Sequence, residues 1–263
     1  MTDPRNRLRP LLHSGMAFKV NNAVAEVLAR DEPALYDWIL DAVYPDETWL
    51  SPYWQWRTDD TSEYQHPSLA PEVALRLVAR GTSERAKDLR EAITKLCIQL
   101  GFNRRTEPVL DVRGCEGMTS VRKLRVLGHE PENEYAWREK VGKLARPLVG
   151  FAAIATMTAL EHLTLIACKL DPAVIGTLPA LRFLEIVGGD LADLAPLAGA
   201  AIEDLALVGC KQLTVISALP RTLKRLHVED CGVEAIPATT AQVTFSRTPI
   251  SRNAMTRSVF ESS

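Results

Sequence analysis

Four hexamers, LTLIAC, LEIVGG, LALVGC and LHVEDC, begin at Leu163, Leu184, Leu205 and Leu226, each 21 residues after the one before. All read apolar, x, apolar, x, x, then Cys or Gly. A further apolar residue stands three positions ahead of each, at Leu160, Leu181, Ile202 and Leu223. Others follow at Leu170, Val174 and Leu178, at Leu191, Leu194 and Leu197, at Leu213, Ile216 and Leu219, and at Val233 and Ile236. In each unit the two alternating apolar side chains share one face of a short strand, and the residue between them faces the other way. One such turn cannot bury its apolar face alone, so the copies must stack and share a continuous core.

The pattern is L-x-x-L-x-L-x-x-N/C-x-L, and on these residues this part of the chain resembles the leucine-rich-repeat family. Cys168, Gly189, Cys210 and Cys231 fall where the family often places Asn or Cys, at the bend leaving the strand, where a small side chain must fit inside the coil. The segment Leu219-Pro220-Arg221-Thr222-Leu223-Lys224-Arg225-Leu226-His227-Val228, running on to Ile236-Pro237, also resembles the bacterial LPX subtype. The resemblance implies a short α/β solenoid with about six or seven strands, a non-catalytic scaffold that binds a protein partner through its concave face.

Weaker turns flank the clear ones. Val243-Thr244-Phe245 reads as a final strand, and the segments beginning at Leu110 and Leu124 read as early ones. Leu110 and Leu124 are 14 residues apart, and Leu124 to Leu163 is 39, which calls for an insertion near 130–155. That insertion begins charged and ends apolar, as a short helix beside the solenoid would.

The first hundred residues carry a different period. Val20, Ala23, Val24, Val27 and Leu28 recur at helical spacing, as do Leu35, Trp38, Ile39, Ala42 and Val43. Pro33 suits a first helical turn. A third helix is expected from Pro71 to Gly81. A fourth is expected from an N-cap at Ser83 to Gly101, with Leu89, Ala92, Ile93, Leu96, Cys97 and Leu100 on one face. The expected organisation is a helical module over 1–104 capping the solenoid, the solenoid over 105–250, and a tail over 251–263.

Lys and Arg number 31 against 33 Asp and Glu, a formal net charge of -2, so no global field recruits nucleic acid or an anionic membrane. The first residues lack the apolar run of a signal peptide, and no apolar stretch reaches the roughly 18 residues that span a bilayer. Five scattered cysteines form no disulfide framework, so a reducing, cytoplasmic setting is expected. No CxxC pair, HExxH, GxSxG, P-loop or GxGxxG occurs, and the five histidines are dispersed. Neither cofactor nor metal is expected. The chain reads as no enzyme, with an unfamiliar active site in the helical module as the alternative.

The outward strand positions are the candidate site, and they form three rows. Before the first leucine lie Lys123, His162, Phe183, Asp204 and Arg225; between the apolar pair lie Arg125, Thr164, Glu185, Ala206 and His227; after it lie Leu127, Ile166, Val187, Val208 and Glu229. The last row holds an apolar stripe. Either the protein's own insertion or helical module covers it, or a partner does, with Glu185, Asp204, Arg225, His227 and Glu229 as a charged rim. The run WLSPYWQW, with Trp49, Tyr53, Trp54 and Trp56, either plugs a core beneath a loop or is a binding hot spot. The partner expected is a protein, such as a toxin neutralised by a bacterial immunity protein, or else a signalling protein docked by an effector or adaptor.

Overall fold

The structure is a computed structural model that describes residues 3–14, 17–43, 77–99, 110–128, 145 and 147–250. The chain enters through helices α1 (Pro4–Leu12), α2 (Ala17–Arg30) and α3 (Pro33–Trp38), the last continuing through a wide turn at Ile39–Val43. A helical stretch at 77–80 and helix α4 (Glu84–Ala92) follow. Their starts obey local chemistry. The Asp3 carboxylate accepts the Arg5 N–H at 2.9 Å ahead of Pro4, and Ser83 Oγ accepts the Ala86 N–H at 3.2 Å. Of the expected apolar stripes, Ala23, Val24 and Val27 on α2 and Leu35, Trp38 and Ile39 after Pro33 are buried, while the side chains of Val20, Leu28, Ala42 and Val43 lie outside the described ones.

Seven strands then form one all-parallel sheet in the order β1-β3-β5-β6-β7-β8-β9. They are β1 (Lys95–Gln99), β3 (Lys123–Leu127), β5 (His162–Ile166), β6 (Phe183–Val187), β7 (Asp204–Val208), β8 (Arg225–Glu229) and β9 (Gln242–Ser246). Each strand pairs with the next in unbroken register, so Leu124, Leu163, Leu184, Leu205 and Leu226 stand in one row, and Val126, Leu165, Ile186, Leu207 and Val228 in another. Both rows are buried. The returning segments are α5 (Pro172–Gly176) and short 3₁₀ turns at Arg113–Cys115, Phe151–Thr156 and Ala195–Leu197. Leu160, Leu181, Ile202 and Leu223 close the same core from the other side. Leu8, Tyr36, Leu40 and Leu89 of the helical module belong to that core cluster too, so the module caps the stack.

Two expectations are corrected. The fourth helix does not run to Gly101. It ends at Ala92, and Lys95–Gln99 is β1, paired with β3. Leu96 and Ile98 fit a helical stripe and a strand face equally well, and pairing with β3, which buries both completely, decides between them. The second concerns Leu110. It does not start a strand of the main sheet, because Leu110–Asp111 (β2) pairs with Leu148–Val149 (β4) in a separate two-stranded ladder on the returning side of the coils. That explains the short spacing from Leu110 to Leu124. The described apolar end of the expected insertion, including Phe151, Ala153 and Ile154, lines the core as a 3₁₀ turn.

The coil is tight at one recurring place. Residues 167, 188, 209 and 230, directly after β5, β6, β7 and β8, all have positive φ, between 52° and 70°. This left-handed step aims the next residue inward, where Cys168, Cys210 and Cys231 are buried. Cys168 Sγ donates to the Ile166 carbonyl at 3.2 Å and lies 3.8 Å from that of Val126, one coil back. Cys210 Sγ reaches the Gly188 carbonyl at 3.5 Å, and Cys231 Sγ that of Leu207 at 3.4 Å. The thiols therefore add contacts to carbonyls around the bend, and that of Ile166 also accepts the Gly128 N–H at 2.8 Å. At Gly189, φ is 92° and an added Cβ would lie 2.6 Å from the Cys168 carbonyl oxygen, so only glycine fits.

Candidate functional site

The sheet face turned away from the core carries the three rows expected from the sequence, now fixed by the strand register. The first row gains a member at each end, Lys95 from β1 and Gln242 from β9, giving Lys95, Lys123, His162, Phe183, Asp204, Arg225 and Gln242. Lys95 escapes a helical reading of its segment. The signal for it is Ile93-x-x-Leu96-x-Ile98, which repeats the L-x-x-L-x-L spacing.

The polar rim residues come together as partners of one another. Arg225 grips Asp204 with two hydrogen bonds, one of them from Nη2 to Oδ2 at 2.7 Å. This pairing holds the Asp204 carboxyl below its usual range. His227 Nε2 lies 3.2 Å from Glu229 Oε2, and Arg247, just past β9, pairs with the other oxygen of Glu229. Thr164 Oγ1 donates to Glu185 Oε2 at 3.2 Å. Each contact spans one step along the stack or two positions along one strand, the distances that in-register outward side chains cover.

The apolar stripe has a closed centre. Ile166 and Val187 are only 5% exposed and pack with Ala167, while Leu127 and Val208 at either end are half-buried. What this row offers a partner is therefore its two ends. Trp54 and Trp56, with the rest of the tryptophan-rich run, lie outside the described residues.

A hollow of about 470 Å³ opens on the same face toward β1, lined by Lys95, Lys123, Leu124, His162, Thr164, Phe183 and Glu185. The His162 and Phe183 rings are tilted against each other with centroids 5.6 Å apart. Burial, and then the charge of Lys123, lowers the His162 pKa below its ordinary value. Among the described residues no three His, Cys, Asp or Glu side chains converge as metal ligands. No described helix is long and apolar enough to cross a membrane.

No protein-family model and no curated protein matches the chain. Among solved structures it is similar to an internalin C2 from Listeria monocytogenes, at 14% identity and a TM-score of 0.30, over 68% of this chain and 92% of that one. It is also similar to a second internalin from Listeria monocytogenes, at 16% identity and a TM-score of 0.27, over 59% of this chain and 58% of that one. By its own 21-residue repeat, strand register and thiol-lined bends, the chain folds as a short parallel-sheet solenoid on the leucine-rich-repeat pattern.

Proposed function

We propose that the chain is a non-catalytic binding module that holds a protein partner against the outward face of its sheet. One observation carries this reading. Seven strands in continuous register present a broad face whose polar groups are already oriented by one another, with half-buried apolar residues at Leu127, Val208 and Phe183 between them. Groups held in place before binding lose little freedom on association, which favours recognition of a partner. The finer partner reading is a toxin occluded by its antagonist, since such a face covers what it holds and does not convert it. Among the described residues, the buried thiols Cys168, Cys210 and Cys231 stand outside any disulfide, which suits the reducing compartment in which that antagonist would act.

The enzyme alternative would need a tuned site in the helical module. A hollow of about 370 Å³ does lie there, lined by Asp31, Pro33, Tyr36, Ala79, Arg80, Arg113 and Glu116. Tyr36 Oη donates to Asp31 Oδ1 at 2.8 Å, and Arg80 pairs with the same oxygen. Burial, and then Asp31, pushes Tyr36 up, while the hydrogen bonds from Tyr36 and Arg80 hold Asp31 down. Both shifts move away from neutrality, so neither group is poised to move a proton near pH 7. The trio is a clamp between α3 and the helical stretch at 77–80.

The test is affinity capture from lysate of the source organism, followed by cross-linking of the purified complex. Cross-links concentrated on β5 to β8 outward positions support the reading. A partner cross-linked to α5 and the 3₁₀ turns overturns it, as does turnover of a small molecule traced to the Tyr36 hollow.

A further inference from the structure

The outward face is not uniform along the stack. From β7 to the end of β9 its charges are matched within the face, Asp204 by Arg225 and Glu229 by His227 and Arg247. At the other end, Lys95 and Lys123 stand at facing register positions on β1 and β3, strands about 4.8 Å apart. Among the described residues neither lysine makes an ion pair. Like charges in facing register repel each other, and no carboxylate among the described residues pairs with either lysine.

Both lysines line the 470 Å³ hollow. The one carboxylate among its described lining residues, Glu185, sits three strands away from Lys95, roughly 14 Å at sheet spacing, and is engaged by Thr164. Arg125, on the middle row of β3, adds a half-buried cation near the lysines. His162 and Phe183 form a ring-faced wall between the lysine end and Glu185. The hollow is therefore cationic at one end and aromatic beside it.

We propose that the lysine end of this hollow receives an acidic segment of the protein partner, with an Asp or Glu carboxylate bridging Lys95 and Lys123 and an apolar neighbour resting on Phe183. An anion placed there relieves the repulsion between the two lysines. The inference rests on the protein-binding reading above and narrows the partner to one that presents carboxylates. A nucleic-acid strand fits less well. It needs a cationic track along the backbone, whereas Glu185, Asp204 and Glu229 lie further along the same face.

The experiment is fluorescence anisotropy with a fluorescein-labelled decapeptide of alternating glutamate and serine, at about 50 mM salt so that screening is modest. Its glutamine counterpart and a single-stranded oligothymidylate of equal charge are run alongside. The glutamate peptide is expected to bind at least about tenfold more tightly than the glutamine peptide, and Lys95→Gln and Lys123→Gln each to weaken it about tenfold. Lys123→Arg retains binding, and Glu185→Gln tightens it. Because the lysine variants remove a repulsion, their melting temperatures should not fall, which separates lost binding from lost folding. Equal binding of the two peptides, binding of the oligonucleotide alone, or lysine variants that bind like the parent overturns the proposal. A partner held on the outward face with unchanged affinity for Lys95→Gln and Lys123→Gln removes this inference and leaves the protein-binding reading standing. Peptide binding with no outward-face partner does the reverse.

Discussion

Cys231 sits one coil beyond Cys210, and its sulfur accepts the backbone N–H of Cys210 at 3.3 Å while its own thiol reaches the Leu207 carbonyl. With Cys168 this makes a stack of thiols along the inside of the bends, each tying one coil to the one before. Burial pushes the Cys168 thiol up to about 12, and the contact with Cys231, followed by burial, raises Cys210 as well. In the unfolded chain the Cys168 thiol ionises near 9. Its contribution to stability is therefore complete below pH 9 and is lost as pH rises toward 12. Melting temperatures measured between pH 7 and 11 should fall over that alkaline limb. At pH 8 these thiols should react with a disulfide reagent only after denaturant is added.

The tight bend at Gly189 gives a sharper test of the coil. Gly189→Ala meets both a φ of 92° and the Cys168 carbonyl, and should destabilise by about 2 kcal/mol or more in urea unfolding. Gly199→Ala, with nothing within 4 Å of its added methyl, should change stability by less than about 0.5 kcal/mol.

Asp37 holds the start of α4. Its Oδ1 accepts the Thr82 and Ser83 N–H groups at 2.7 and 2.9 Å, and its Oδ2 accepts the Thr82 hydroxyl at 2.7 Å. Burial works against this carboxylate, but the hydrogen bonds from Thr82 and Ser83 outweigh it and leave its pKa below 3.8. Its stabilisation is present above pH 4 and is lost as pH falls through the lowered value. Asp37→Ala should cost about 2 kcal/mol at pH 7, and the deficit relative to the parent should narrow in acid.

The repeats that were legible in the sequence are those with nothing competing. From Leu163 to Leu226 the 21-residue phase admits one stacking, and it places the buried leucines and the outward rows together. Around Leu96 two periods coincide, since the apolar residues from Leu89 onward satisfy a helix as well as L-x-x-L-x-L, and only pairing with β3 resolves them. Leu110 shows another limit. An apolar pair carries no mark of which side of a coil it lies on. The closure over Ile166 and Val187 was equally hidden, because alternation states which way a side chain faces and not how far its neighbours close over it. Lys95, at the cationic end of the hollow, went unseen for the same reason as β1.

His162 reports on that end of the face. Burial and Lys123 lower its pKa, while Glu161 and Asp204 act in the opposite direction. Removing the neighbouring charge by Lys123→Gln should therefore raise the midpoint of the His162 ring resonances in an NMR pH titration. In the parent the midpoint lies below 6.5, so acid below that pH favours the unfolded chain. A midpoint that does not move with Lys123→Gln would leave burial as the whole cause.

Ala206 lies at the middle of the outward face, between Glu185 of β6 and His227 of β8, and Ala173 lies exposed on α5 on the returning side. Arginine at either position adds the same bulk and charge without entering the core. Calorimetric titration of the identified partner against Ala206→Arg and Ala173→Arg, each first shown to melt like the parent, compares the two sides of the solenoid directly. The account predicts at least about a tenfold loss of affinity for Ala206→Arg and none for Ala173→Arg. Unchanged binding by Ala206→Arg together with loss in Ala173→Arg would contradict it and place the partner on the returning side of the coils.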